Sequence, residues 1–158
     1  MKTIIMDDVR IERTLKRIAF QILENCYQEE EVTVIGIEPR GVWVAAQLIK
    51  NLGKISKMKV KKAAIDVDNL DELGKLSASI KGRSVVLVDD VVKSGDTMMR
   101  AASAISAQGP KVLITACLVD RKHRRFPIKS DLTGLSLATT LQEHIQLVIE
   151  PKPTIYLE

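Results

Sequence analysis

The stretch VVLVDDVVKSGDT, running from Val85 to Thr97, decides how the rest of the chain is read. Its apolar, β-branched opening has the composition of a strand buried on both faces. Two adjacent acids, Asp89 and Asp90, follow, and then Ser94, Gly95 and Thr97, where apolar residues begin to recur at helical spacing. A strand that passes into a helix through such residues gathers hydroxyl donors, unpaired N–H groups and the positive end of a helix dipole at one place. Glycine there lets the main chain approach a ligand closely. These features suit a phosphate monoester, and the two carboxylates beside it are acceptors for neighbouring hydroxyls, as on a ribose. The plainer alternative is a strand and a capped helix, with Asp89 and Asp90 as solvated turn residues. A P-loop needs Gly-x-x-x-x-Gly-Lys-Ser/Thr, and Lys93 precedes the glycine here, which excludes it. A receiver domain opens with its acidic pair, whereas this pair lies past the midpoint.

Working outward, Asp7 and Asp8 precede Ile11, Leu15, Ile18, Ala19, Ile22, Leu23 and Cys26, an amphipathic helix with acidic caps. Glu29 to Glu31 reads as an acidic turn and Val32 to Ile37 as a buried strand. Val42 to Leu52 reads as a helix that Gly53 ends. Val60 to Asp66 is a strand, and polar Asp66 to Ser79, with Gly74, a mobile loop. Ser84 to Val88 is the next strand, Thr97 to Ala107 a helix stopped by Gln108-Gly109-Pro110, and Val112 to Val119 a further buried strand. Asp120 to Glu158 is rich in charge and turn residues, with one strand-like run, Ile145 to Ile149. Strands alternating with amphipathic helices predict an α/β fold, a parallel twisted sheet flanked by helices. Ligands in such folds sit outside the carboxyl ends of the strands, so the loops after Ile37, Val88 and Val119 are where chemistry is expected.

The 158 residues suit a single domain spanning 1–158. A net charge of +4 accommodates an anionic ligand or nucleic acid without singling out either. Aromatic residues make up only 3%, too few for a base-stacking platform on single strands. Cys26 and Cys117 are far apart in apolar stretches and read as buried thiols, with no spacing for a metal site. His123 and His144 read as surface or loop residues. The first residues lack the order of a secretory leader and no apolar run approaches a membrane span, so the expected location is the cytoplasm, with no membrane partner.

Val85 to Thr97 resembles the signature by which type I phosphoribosyltransferases bind 5-phosphoribosyl-1-pyrophosphate (PRPP): four apolar residues, two acids, two apolar residues, a variable position, then Thr/Ser-Gly-x-Thr. A wider match takes in DDVRIERTLKRIAFQIL, VIGIEPRGVWVAAQL and LVDRKHRRFPIKSDLTG. These stretches are similar to one subgroup, the bifunctional pyrimidine operon attenuator/uracil phosphoribosyltransferase family, and Leu118 to Gly134 is the most telling of them.

The resemblance implies a type I phosphoribosyltransferase fold with a small hood, and transfer of phosphoribose from PRPP to a nucleobase, uracil before another base. Asp89 and Asp90 would hold the ribose hydroxyls. Val91, Val92 and Lys93 would lead into Ser94, Gly95, Asp96 and Thr97, which would cradle the 5′-phosphate. Magnesium would be held mainly by PRPP, near Asp89 and Asp90, with no ligand set of the protein's own. Arg40 and Gly41 match the family's pyrophosphate loop, and a guanidinium beside a glycine after a buried strand suits a diphosphate on its own chemistry. Arg121 would face the substrate, whose base is expected under a hood from Asp120 to Thr140. The catalytic set is then Asp89, Asp90 and Arg40.

The family also binds a messenger RNA leader when a nucleotide fills the site. Arg13, Arg17, Arg124 and Lys129 are the matching candidates for contact through phosphates, against a reading of them as ordinary solvated charge. A nucleotide-sensing RNA regulator with weak or no catalysis is therefore the second reading, and a homodimer or larger homo-oligomer is implied. This chain departs from the family at several places: Lys93 in the spacer, Asp96 at the variable phosphate-loop position, Phe20 for histidine, Leu135 for lysine, and a shorter acidic segment after Asp66 without the Tyr-Arg pair.

Overall fold

A computed structural model of the chain describes residues 2–140 and 143–158. The main sheet has five parallel strands in the order β3-β2-β4-β5-β6: β2 (Glu31–Ile37), β3 (Lys59–Ile65), β4 (Ser84–Val92), β5 (Val112–Arg121) and β6 (Leu132–Leu137). Helix α1 (Asp8–Asn25) packs against α2 (Arg40–Ile55) on one face, and α4 (Asp96–Ser106) covers the other.

The two-residue period of the strands builds both layers. Val32, Val34, Val86 and Val88 point into the core shared with α1 and α2, while Ile35, Ile37, Val85 and Leu87 point into the core beneath α4. Helix α1 starts where the Asp7 carboxylate accepts from the N–H of Arg10 at 2.8 Å. Its Ile11, Leu15, Ile18 and Ile22 are buried at helical spacing, each stabilising the fold by about 1.5–3 kcal/mol relative to exposure. Cys26 and Cys117 are free and buried, and burial pushes the Cys117 thiol up to about 12, out of reach of ordinary thiolate chemistry.

The chain leaves β2 for β3 on one side, then returns to place β4 on the other side of β2. Such a reversal of direction opens a crevice at the carboxyl ends of the two strands. The helices that follow β2 and β4 lie on opposite faces, so α2 and α4 begin on either side of that crevice.

Several boundaries differ from the sequence reading. Helix α2 begins at Arg40 and continues to Ile55, because Gly53 is exposed and nothing crowds it into ending the helix. The polar stretch after Asp66 is built of helical turns, Leu70–Leu76 and α3 (Ser77–Ile80), whose Leu73 and Ile80 are buried beside α4. Leu132–Leu137, inside the expected hood, is instead the edge strand β6 of the main sheet. A separate antiparallel sheet, β1-β8-β7, joins β1 (Thr3–Met6), β8 (Thr154–Leu157) and β7 (Ile145–Val148) from the two ends of the chain, and β7 packs on β4. Among the described residues, no helix is long and apolar enough to cross a membrane.

Candidate active site

A cavity of about 310 Å³ opens at the crevice between β2 and β4. The β4 side supplies the continuous run from Asp89 to Met98, and the β2 side supplies Ile37 to Arg40. Ile145 and Gln146 of β7 close it from the small sheet.

Asp89 and Asp90 lie in β4, followed within the strand by Val91 and Val92. Asp89 is 8% exposed, and its carboxylate accepts from the N–H of Asp90 at 2.8 Å. Burial, and then the adjacent charge of Asp90, hold the Asp89 carboxyl well above the usual carboxylate range. A ligand offering hydroxyl donors or a cation would relieve that cost. Val91 and Val92 are buried, so they shape the strand and offer main chain rather than side chain.

The loop then turns on Gly95, whose φ of +89° is the left-handed conformation that favours glycine. The first main-chain bond of α4 runs from the N–H of Met99 to the carbonyl of Gly95 at 2.8 Å. The N–H of Asp96 reaches the Ser94 hydroxyl at 3.2 Å, but Thr97 and Met98 have no main-chain acceptor among the described residues. Both residues line the cavity, at the positive end of the α4 dipole.

The second helix end is equally open. Pro39 precedes α2 without a side-chain cap, and no acid lies in the first turn. Arg40 is exposed on the cavity wall. A Cβ on Gly41 would lie 2.6 Å from the carbonyl oxygen of Val88 and 3.2 Å from the Asp89 carboxylate. Only glycine lets the start of α2 rest directly on the end of β4, which sets Arg40 beside the acid pair. Two unsatisfied helix N-termini, an arginine and two acids thus frame one cavity. That arrangement holds anionic groups at its ends and hydroxyls between them.

Residues 3–151 match the family described as Phosphoribosyl transferase domain. The chain belongs to the phosphoribosyltransferase family. Relatives of this phosphoribosyltransferase include proteins named Bifunctional protein PyrR. The protein of that name from Gloeothece citriformis is 36% identical, the match covering 93% of this chain and 90% of the relative. That from Macrococcus caseolyticus is 34% identical over 99% of both. Among solved structures, the HGPRT-ase of Leishmania tarentolae in complex with GMP superposes with a TM-score of 0.82 at 16% identity, covering 99% of this chain and 96% of that one. A hypoxanthine-guanine phosphoribosyltransferase of Bacillus anthracis gives 0.77 at 20% identity, covering 98% and 96%. At those identities the likeness is one of fold, and it takes in nearly the whole chain.

Not every candidate residue of this phosphoribosyltransferase meets at the cavity. Arg121 lies at the end of β5, where it donates to the carbonyl of Thr140 at 3.2 Å, and it is not on the cavity wall. Arg17 donates to the carbonyl of Gly134 at 2.8 Å and fastens α1 to β6. Arg13 and Lys129 are exposed. Lys93 is exposed at the rim, and Asp96, which opens α4, is half-buried on the wall. Sequence reasoning passed over Pro39, Met98, Ile145 and Gln146. Only the strand-like run around Ile145 signals the last two, and nothing local shows that β7 folds back over β4.

Among the described residues, no group of three His, Cys, Asp or Glu could hold a metal. Asp89 and Asp90 form a two-carboxylate oxygen donor set with one member strongly desolvated. That fits magnesium, which takes one or two carboxylates and fills its shell with ligand oxygens and water.

Proposed function

We propose that this protein transfers the phosphoribosyl group of PRPP to a nucleobase, most favourably uracil, giving UMP and pyrophosphate. The observation that carries the reading is the meeting of two open helix N-termini across the Asp89-Asp90 pair. PRPP has an anionic group at each end of a ribose and matches that order. The loop from Ser94 to Thr97 anchors the 5′-phosphate, and binding energy there orients the distant reacting carbon. Asp89 and Asp90 accept from the ribose hydroxyls. Arg40 and the first turn of α2 bind the diphosphate as it gains charge on leaving. Magnesium, when bound, would neutralise part of that charge through diphosphate oxygens, with Asp89 and Asp90 its nearest protein donors. The uracil assignment rests on the resemblance of Leu118 to Gly134 to the attenuator/uracil phosphoribosyltransferase subgroup.

The test is an assay with PRPP, magnesium and each common nucleobase. Uracil-dependent formation of UMP and pyrophosphate is expected, and Asp90→Asn should abolish it while leaving the circular dichroism spectrum unchanged. Full activity in Asp90→Asn would overturn the assignment.

A second reading, a nucleotide-sensing RNA regulator with little catalysis, is favoured by one feature. Arg100 donates to the carbonyl of Val67 at 2.9 Å and faces Asp68 at 3.7 Å, holding the segment after Asp66 against α4. No arginine lies in that segment. UMP binding without turnover, with RNA affinity that falls steeply with salt, would place regulation first. Arg13 and Lys129 stand ready for such contacts, and Arg17 and Arg124 would first have to release internal partners.

A further inference from the structure

The loop that follows β5 holds the basic run Arg121 to Arg125. Arg124 turns inward from it, with only 20% of its side chain exposed. Its Nε donates to the carbonyl of Ile128 at 3.1 Å, and its Nη1 to the carbonyls of Arg121 at 2.6 Å and Lys93 at 3.0 Å. Its Nη2 pairs with the Asp120 carboxylate. Every nitrogen of the guanidinium is used, and one partner, Lys93, belongs to the phosphate loop.

The main chain ties the same two segments again. The N–H groups of Arg125 and Phe126 both donate to the carbonyl of Ser94, at 2.9 and 3.1 Å. Gly95 is covered from behind by the same loop, since a Cβ there would lie 2.9 Å from Ile128 and 3.1 Å from the Arg124 side chain.

A peptide unit is planar, so fixing its carbonyl oxygen fixes the direction of the next N–H. Holding the carbonyls of Lys93 and Ser94 from behind therefore aims the N–H groups of Ser94 and Gly95 forward. We propose that Arg124 is a positioning residue for the 5′-phosphate: it sets the Ser94 amide through the carbonyl of Lys93 and pins the loop whose Arg125 and Phe126 N–H groups set the Gly95 amide, without touching the ligand. The inference rests on the phosphate-binding reading of the loop. A planar guanidinium can serve several carbonyls and a carboxylate at once, and an ammonium cannot.

The experiment compares UMP and uridine binding by calorimetry in the wild type, Arg124→Lys and Lys81→Met, with a melting curve for each. Arg124→Lys keeps a cation opposite Asp120. It is expected to melt within a few degrees of the wild type, lose about tenfold in UMP affinity and leave uridine affinity unchanged. Lys81 is exposed and lies outside the site, and Lys81→Met should bind UMP normally. Should Arg124→Lys fail to fold, the neutral pair Asp120→Asn/Arg124→Gln, which buries no unpaired charge, should show the same selective loss of UMP. Wild-type UMP affinity in a folded variant, or equal losses for UMP and uridine, would overturn the proposal alone. A wild type that binds neither UMP nor PRPP would overturn the phosphate-binding reading together with it.

Discussion

The N–H of Asp90 donates to the carboxylate of Asp89 at 2.8 Å, so the two acids of the signature are locked to each other before any ligand arrives. That bond only partly offsets what burial and the neighbouring Asp90 charge cost the Asp89 carboxylate, whose pKa lies well above the ordinary value of 3.8. The cost is a store of affinity: whatever neutralises or solvates Asp89 recovers it.

Stability should carry the mark of that buried charge. Between the unfolded value of 3.8 and the raised folded value, the native protein binds the extra proton, so stability falls as pH rises through that window. Asparagine has no such group. Asp89→Asn should therefore melt a few degrees higher than the wild type at about pH 7 and show little advantage near pH 3.8 or below. The same variant should lose PRPP binding. Melting curves across pH, with and without PRPP and magnesium, check both. A variant less stable than the wild type at neutral pH would contradict burial and the Asp90 charge as the origin of the shift.

Gly95→Ala tests the turn itself. The +89° φ and the contacts with Ile128 and Arg124 both oppose a Cβ. The substitution should cost about 1–3 kcal/mol of stability. UMP affinity should drop with it, because the amides that follow Gly95 would shift. Urea unfolding and calorimetry measure the two effects separately.

Arg40→Met should divide PRPP from UMP. Arg40 stands on the cavity wall at the start of α2, and its replacement by methionine removes charge while keeping an unbranched stem. Affinity for PRPP should weaken about tenfold or more, as expected for loss of a charge-assisted contact. UMP, which has no diphosphate, should bind as before. Equal losses for both ligands would move Arg40 to the ribose-phosphate end of the site.

The sequence makes β2, β4, β5, α1 and α4 legible because each carries its own periodicity, and the order of Asp89, Asp90, Ser94, Gly95 and Thr97 picks out the loop that lines the cavity. What it hides depends on distant partners. β1 is four residues long and exists by pairing Thr3 with Leu157 from the opposite end of the chain. β6 carries Gly134 and is only partly buried, so it lacks the apolar run that marks the inner strands. Gly53 suggests a helix end that no tertiary contact enforces. The inward turn of Arg124 is invisible for a similar reason, since five consecutive basic-type residues look alike until Asp120 and the carbonyl of Lys93 are placed around one of them.

Two separate hydrophobic cores lie on opposite faces of the sheet, one under α1 and α2 and the other under α4. Each core contributes one of the helix ends that face the cavity. A molecule grasped at both ends would act as a rivet through the sheet, so that neither layer could open without releasing it. The bound protein should then lose its two halves together, and amide exchange in α2 and α4, independent in the free protein, should slow in concert.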